Sequence, residues 1–426
     1  MSSTALLTDR YELTMLTAAI RDGTAGRPCV FEVFARRLPV GRRYGVVAGT
    51  ARVLDAVADF RFDAAMLAFL ADAGVIDEQT GVWLAGYRFG GDIDGYAEGE
   101  LYFPHSPVLT VSGSFADAVM LETVVLSILN HDCAIASAAA RMVSAASGRP
   151  VIEMGSRRTH ELAAVVAARA AYLAGFAATS NLAAGIRYGI PTAGTAAHAF
   201  TMLYDDEPTA FRAQLTALGT GTTLLVDTYD ITTGIAHAVE AAGPELGAIR
   251  IDSGDLGVLA AQAREQLDRL GATGTRIVVT SDLDEHAIAA LAAAPVDSYG
   301  VGTALVTGSG APTAQMIYKL VEVDGRPVAK RSLEKPSPAG RKVAIRRHRR
   351  TGTATEEVVR TGARPSREDG DVELQVPLVR GGELVAACGD LDTGRELMRR
   401  RMVSLPWDGL KLSHGEPAIP TTFEPA

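Results

Sequence analysis

The sequence predicts an α/β protein: an irregular β/α barrel with an α/β sandwich lobe built from the N-terminal segment and part of the C-terminal segment. Two observations predict the barrel. Short apolar runs ending in polar or charged residues recur through the middle of the chain: Val151-Ile-Glu-Met into Gly155-Ser-Arg-Arg, Thr223-Leu-Leu-Val into Asp227-Thr-Tyr-Asp, and Gly247-Ala-Ile-Arg into Ile251-Asp-Ser-Gly-Asp-Leu. Two more follow, Arg276-Ile-Val-Val-Thr into Ser281-Asp-Leu-Asp and Asp297-Ser-Tyr-Gly-Val into Gly302-Thr. Between them lie alanine-rich segments of helical spacing, Glu161 to Ala174, Ile235 to Ala242, Val258 to Leu270 and Glu285 to Ala292. Strands alternating with helical patterns read as βαβ units around a parallel sheet, whose chemistry gathers at the carboxyl ends of its strands. The expected segments are an N-terminal α/β lobe over 1–116, the barrel with its lead-in helix over 117–319, and a C-terminal segment over 320–426 that returns to the lobe.

The elements follow in chain order. Thr8-Asp-Arg-Tyr-Glu opens a helix, with Thr8 or Asp9 as its cap and Glu12 in the first turn. Tyr11 then lies on that first turn, either as a half-buried packing residue or as a ligand contact. Val30-Phe-Glu-Val-Phe-Ala alternates as a strand and runs into Arg36-Arg-Leu-Pro and Gly41-Arg-Arg-Tyr-Gly. Four arginines beside glycines suit either a solvated basic loop or a polyphosphate. Tyr87 to Val111 reads as short antiparallel strands with Gly and Pro turns. Asp117 to Ala146 is one long helical pattern with apolar residues on more than one face, so a buried helix leading into the barrel. After the barrel, Met316 to Ala329 is a hairpin with an Asp-Gly turn, followed by strands, loops, the basic run Lys342 to Arg350, and a helix around Gly394 to Arg401.

Composition narrows the function. The 426 residues carry a net charge of −9, with 47% hydrophobic and 21% charged, the profile of a compact folded protein. The negative balance argues against nonspecific nucleic-acid binding, which rests on Lys and Arg neutralising phosphates. No apolar run reaches the length of a membrane span, and the N-terminus breaks into charge too early for a secretory signal, so the expected compartment is the cytoplasm. Cys29, Cys133 and Cys388 lie far apart, which suggests neither a disulfide framework nor a structural zinc. The first lysine is Lys319, after the whole barrel. Schiff-base, pyridoxal-phosphate and P-loop chemistry, each needing a lysine amine, are thereby excluded from the barrel. Arginine does the cationic work there, which suits bidentate recognition of phosphate and carboxylate.

The strand ends hold the candidate chemistry. Arg250, Asp252 and Asp255 follow one strand, and Arg157 another. Gly194-Thr-Ala-Ala-His-Ala-Phe puts Thr195 and His198 at a further strand end, where the histidine is either a hydrogen-bonded structural residue or a ligand contact among small residues. Tyr299-Gly-Val-Gly-Thr offers the backbone N–H groups of Gly300 and Gly302, beside the Thr303 hydroxyl, to a phosphate.

Taken together, these stretches resemble the nicotinate phosphoribosyltransferase family. The likeness covers most of the chain through T-D-R-Y-E-L-T-M, F-A-R-R-L-P, Y-G-V-V-A-G, E-T-V-V-L-S-I-L-N, G-S-R-R, T-S-N-L-A-A-G, G-T-A-A-H-A-F, D-T-Y-D, R-I-D-S-G-D-L, S-D-L-D and Y-G-V-G-T in this order. The resemblance implies the family's fold, a sandwich lobe on an irregular barrel, and a homodimer with shared active sites. It implies condensation of nicotinate with 5-phosphoribosyl 1-diphosphate to nicotinate mononucleotide and diphosphate in NAD salvage, coupled to ATP hydrolysis, with Mg²⁺. By position, His198 resembles the histidine phosphorylated by ATP. Tyr11, Arg157, Thr195 and Arg250 resemble the nicotinate pocket, and Gly300, Gly302 and Thr303 the 5′-phosphate site. Asp252 resembles the carboxylate near the ribose hydroxyls, Asp227 is a candidate for holding Mg²⁺, and Arg36 and Arg37 resemble arginines that reach diphosphate from the neighbouring subunit.

Departures and rivals belong beside it. Met154 stands where related enzymes often place an aromatic, Lys330-Arg331-Ser332 differs from the usual lysine-leucine-serine, and a four-cysteine knuckle is missing. Nicotinamide phosphoribosyltransferase shares the architecture but has an aspartate where this chain has Ser180. A carboxylate there accepts from an amide and repels an acid, whereas Ser180 donates to one. The rival of another class is a catalytically silent barrel serving as a binding or assembly subunit.

Overall fold

The computed structural model describes residues 3–330, 338–385 and 390–425. Arg331, Ser332 and Cys388 lie outside the described residues. The chain divides into a terminal unit, Met1–Ser137 with Ala311–Ala426, and a central unit, Ala138–Gly310. The central unit is therefore shorter than the 117–319 expected from the sequence. The cause lies in the helix Glu122–Ala146, whose first half contributes Val124, Val125, Ile128, Leu129 and Cys133 to the hydrophobic core of the terminal unit. Burial sets the division, and the apolar pattern alone does not say which core a helix serves.

In the terminal unit, seven antiparallel strands run in the order Arg326–Pro327, Met316–Val323, Pro28–Ala35, Leu109–Ser114, Asp92–Tyr96, Gln375–Arg380 and Glu383–Leu384. The hairpin into Arg326–Pro327 turns at Asp324 and Gly325, both with positive φ, as a two-residue turn matched to strand twist requires. A second sheet joins Val372–Glu373, Lys342–His348, Ala354–Thr361 and Thr421–Glu424. The basic run falls on Lys342–His348, and alternation along the strand turns two of its cations inward. Lys342 Nζ lies 2.7 Å from Glu32, and Arg346 is 2.8 Å from Glu357 and also bonded to Glu100, all of them buried. Burial opposes the Arg346 charge, and Glu100 and Glu357 outweigh it, so its pKa lies above the usual value.

The single long helix expected from Asp117 to Ala146 is two, Phe115–Val119 and Glu122–Ala146, separated by the fully buried Met120 and Leu121. Apolar periodicity registers burial, and these two residues keep it through the turn that interrupts the helix. The stretch Phe115–Ala146 is also long and apolar enough to cross a membrane, contrary to the sequence expectation. Some 67% of its most apolar part is buried inside the protein, as in a core helix.

The central unit carries six parallel strands in the order Ala178–Thr179, Val151–Glu153, Ser298–Val301, Arg276–Val279, Ala248–Ile251 and Thr223–Leu225. Helices return the chain between them, among them Glu161–Leu173, Ile231–Ala242, Leu256–Arg269 and Glu285–Ala290. The expected α/β class stands, as a parallel half-barrel whose edge strands are Ala178–Thr179 and Thr223–Leu225. Between those edges a further strand is reduced to one bridge, Thr179 to Thr192, with Thr179 N–H donating to Pro191 O and Ala193 N–H to Thr179 O.

The first helix, Arg10–Asp22, is flanked by Asp9, whose side chain makes no capping bond. Its Glu12 is fully buried and accepts hydrogen bonds from the backbone and hydroxyl of Thr123 and from the Thr8 hydroxyl. Burial pushes this carboxyl up to about 7 from the usual 4.5. The folded protein therefore holds the proton more tightly than the unfolded chain, and this contribution to stability is complete below pH 4.5 and lost as pH rises to about 7. Glu12→Gln keeps the shape without the charge. Urea unfolding at pH 5 and pH 8 is expected to show the wild type losing about 1–3 kcal/mol more than the variant over that interval. An equal loss in both proteins disproves the assignment.

Candidate functional site

The carboxyl ends of the parallel strands gather a set of polar side chains in the central unit. Arg250, on Ala248–Ile251, is partly buried and donates from Nη1 to the Thr195 hydroxyl, while its Nε has no partner. Burial lowers its pKa, Asp252 and Asp227 raise it, and Arg157 lowers it further. Among the described residues Arg250 makes no ion pair within 4.0 Å, so it keeps spare donors, and the charge of the exposed Arg157 is close enough to act on it. Two cations near each other, neither in an ion pair among the described residues, form a receptor for an anion.

Next to it lie two carboxylates and an imidazole. Asp227, at the end of Thr223–Leu225, accepts at Oδ2 from Asp252 N–H and from the Ser253 hydroxyl, both at 2.8 Å. Its Oδ1 is buried without a hydrogen-bond partner, 4.0 Å from His198 Nε2. Asp252 Oδ1 accepts from the Thr280 hydroxyl, and its Oδ2 lies 3.8 Å from the same imidazole nitrogen. His198 Nδ1 is 3.2 Å from the Thr228 hydroxyl. The sequence placed Thr195 and His198 at a strand end. They instead occupy a loop beyond the Thr192 bridge, and His198 opens the one-turn helix His198–Thr201. The edge strand there is nearly vestigial, so a short apolar run is not enough to mark a ladder.

The other strand ends hold the remaining candidates. Glu153 is fully buried and accepts from Gly155 N–H and the Thr179 hydroxyl, and burial pushes its carboxyl pKa up. Arg157 and Ser180 are exposed on the loops that follow. Gly300 is buried, and a Cβ there would stand 2.5 Å from Thr280 Cγ2 and 2.8 Å from Met154 Sδ, so packing alone requires glycine. Gly302 precedes the short helix Thr303–Val306, with Thr303 exposed. Ser281, directly after Thr280, has φ 133°, a conformation that a side chain disfavours.

Two expectations change. Asp255 has a local structural role, since its side chain accepts from Val258 N–H and caps the helix Leu256–Arg269. Of the Gly41-Arg-Arg pair, Arg43 is neither solvated nor open to a polyphosphate, because it donates to Glu416 O and Asp408. In the terminal unit, Arg36 is half-buried just past the strand Pro28–Ala35, and Tyr11 is 44% exposed on the first helical turn. Burial and Glu122 push the Tyr11 phenol up to about 12, so it remains a neutral donor. Sequence reasoning missed Glu153, Thr179, Thr228, Ser253 and Thr280 as partners within this set. Each lies at or just after a strand's carboxyl end, which was the signal available.

For a divalent cation, the described residues offer no group of three or more His, Cys, Asp or Glu ligands. The unpartnered Asp227 Oδ1 beside Asp252 Oδ2 nevertheless fits a magnesium ion, which typically takes one or two carboxylates and completes its shell with water and substrate phosphates.

Residues 6–130 match the family model described as the nicotinate phosphoribosyltransferase (NAPRTase) N-terminal domain. Nicotinate phosphoribosyltransferase pncB1 of Mycobacterium tuberculosis is 68% identical over 430 residues, covering 99% of this chain and 95% of that protein. The nicotinate phosphoribosyltransferase of Bacillus subtilis is 39% identical over 360 residues, covering 81% and 73%. The crystal structure of human nicotinic acid phosphoribosyltransferase superposes with a TM-score of 0.83 at 25% identity, over 98% of this chain and 97% of that one. A nicotinate-nucleotide pyrophosphorylase from Pyrococcus furiosus shares the fold, with a TM-score of 0.79 at 24% identity over 94% and 95%. The half-barrel with its arginine and aspartate strand ends and a near-full-length relative at 68% identity agree: the chain belongs to the nicotinate phosphoribosyltransferase family.

Proposed function

We infer that this protein condenses nicotinate with 5-phosphoribosyl 1-diphosphate, giving nicotinate mononucleotide and diphosphate, as a cytoplasmic enzyme of NAD salvage coupled to ATP hydrolysis. The observation that carries the reading is Arg250, partly buried, bonded to Thr195, without an ion pair among the described residues and within the electrostatic reach of Arg157. Such a pair receives the substrate carboxylate. The pyridine nitrogen is unprotonated at neutral pH, so nicotinate needs no general base. It attacks C1 of the ribose as the C1–O bond to diphosphate breaks, and positive charge develops on the sugar. Asp252 supports that charge, its Oδ1 anchored by Thr280. Gly302 and Thr303 receive the 5′-phosphate through backbone N–H groups and a hydroxyl, and Gly300, buried in the strand before them, supports that turn by its packing. Asp227 and Asp252 are the residues that would hold magnesium, which would neutralise charge on the phosphates.

Phosphorylation of His198 provides the ATP step. The carboxylates of Asp227 and Asp252 draw the imidazole proton to Nε2, and Nδ1 then keeps its lone pair beside Thr228. Nδ1 forms the N–P bond as the β–γ P–O bond of ATP breaks and ADP leaves; water later cleaves the N–P bond and releases phosphate. Acid-labile, base-stable label from γ-labelled ATP is expected on the wild type and absent from His198→Asn, with residual transferase activity in the variant independent of ATP. Equal labelling of both proteins, or ATP-stimulated turnover of the variant, removes His198 from this role.

Selectivity follows from the same geometry. Nicotinate is expected to be converted and nicotinamide not, Arg250→Gln to lower kcat/KM for nicotinate by roughly 10- to 100-fold, the value of a lost charged hydrogen bond, and Ser180→Asp to shift the ratio toward the amide. Comparable wild-type kcat/KM for acid and amide overturns the reading.

The active form is a homodimer in which Tyr11 and Arg36 are offered to the neighbouring subunit's strand ends. Tyr11 suits this as an exposed neutral donor. Mixed dimers of Tyr11→Ala and Asp252→Ala chains, each inactive alone, are expected to recover about a quarter to a half of wild-type activity per site by subunit complementation. Heterodimers that form and stay inactive end the shared-site model.

A further inference from the structure

Two loops that carry candidate substrate contacts are tied into one ring of hydrogen bonds around a buried acid. Glu153 and Thr179 are directly opposed in the parallel ladder, so their side chains share a face. Both are 0% exposed. Glu153 accepts from Gly155 N–H at one oxygen and from the Thr179 hydroxyl at the other. The Thr179 oxygen accepts in turn from Asn181 N–H at 2.9 Å. Asn181 closes the ring by donating from Nδ2 to the Ser156 hydroxyl at 3.0 Å, while its Oδ1 caps the helix Leu182–Tyr188 through Ala184 N–H. Ser180 N–H donates to Glu153 O at 2.8 Å, which fixes Ser180 against the same strand. Gly155 leaves no room for error, because a Cβ there would stand 3.0 Å from Glu153 Oε1 and 2.3 Å from Val306 Cγ1.

The ring holds Gly155-Ser156, which leads to Arg157, at a set distance from Ser180. Neither Arg157 nor Ser180 is buried, so neither is positioned by packing. We propose that Glu153 and Thr179 are positioning residues that fix the separation of Arg157 and Ser180 and so set the affinity for the acid substrate and its preference over the amide. This rests on the nicotinate reading above. Glu153 touches no substrate; it acts through the two loops. A buried carboxyl with no cation bonded to it among the described residues is an expensive way to fill a core, and the two hydrogen bonds it receives, one from each loop, give it a positional role that an apolar residue cannot reproduce.

The test compares Thr179→Val, which keeps the shape and removes the hydroxyl, with Thr179→Ser, which keeps the hydroxyl, and with Glu153→Gln. Wild-type turnover of nicotinate is measured first, and its failure sinks the substrate reading alone. Nicotinate binding is then followed by calorimetry, and KM for nicotinate and for phosphoribosyl diphosphate is determined separately. Thr179→Val is expected to weaken nicotinate binding by about tenfold or more and to narrow the acid-to-amide ratio, with KM for phosphoribosyl diphosphate within about threefold of wild type. Thr179→Ser restores nicotinate binding to within about threefold. The double variant Thr179→Val with Glu153→Gln is expected to cost no more than the larger single effect, as members of one ring do. Equal losses in the Ser and Val variants, or a lowered Tm with unchanged nicotinate binding and selectivity, overturn the proposal and leave the ring a purely structural feature.

Discussion

Parallel strands cannot be joined by a tight turn, so each strand of the central sheet must be followed by a helix that carries the chain back. That constraint puts every carboxyl end on one side and every loop under two obligations. It must present side chains at its start and begin a helix at its end. The chain meets both with pairs of acids three residues apart. Asp227 accepts from Asp252 N–H and Ser253, and Asp230 caps the next helix. Asp252 accepts from Thr280, and Asp255 caps the next. After Arg276–Val279, Ser281 takes the strained conformation and Asp284 caps. The site is thus cross-linked from loop to loop, each loop anchored at its far end by a helix.

The same arrangement explains what could be read from the sequence. Strand ends were legible because apolar runs stop abruptly at Gly155, Asp227, Asp252 and Ser281, and the polar cluster lies at or beside these positions, with Asp227 and Asp252 in it and Thr280 just before Ser281. Asp252 and Asp255 look alike as letters, and only the hydrogen bond to Val258 N–H separates a cap from a site residue. Thr179 and Thr280 were invisible as partners because a hydroxyl's role depends on what stands opposite it across a ladder. Thr195 and His198 lie beside Arg250 and the two aspartates, but on a loop and not at a strand end, since the edge beyond Ala178–Thr179 has shrunk to a single bridge. In the terminal unit the basic run showed only its charge, and Lys342 and Arg346 are buried by strand alternation against acids hundreds of residues away.

Those buried pairs are the costly part of the terminal unit. Placing charges such as Glu32, Lys342, Glu100, Glu357 and Arg346 out of water is repaid only when partners are complete, and removing one partner costs about 3–5 kcal/mol. Arginine suits Arg346 because its planar fork reaches Glu100, Glu357 and Leu101 O at once. A lysine there has one nitrogen to divide among three acceptors, and the chain uses lysine at only five positions.

Because Met1–Ser137 and Ala311–Ala426 form one unit, order of manufacture matters as well as final energy. Glu32 leaves the ribosome 310 residues before the lysine that neutralises it. At roughly 5–20 residues per second, the acid waits some fifteen seconds to a minute for its partner. During that interval the seven-stranded sheet lacks Met316–Val323 and Gln375–Arg380, and Pro28–Ala35 presents an open edge. The stretch Ala138–Gly310 has its own six strands complete as soon as it emerges. In a nascent chain the centre therefore has all its strands before the beginning does, and the β-edge near the N-terminus stays unpaired until Met316–Val323 emerges.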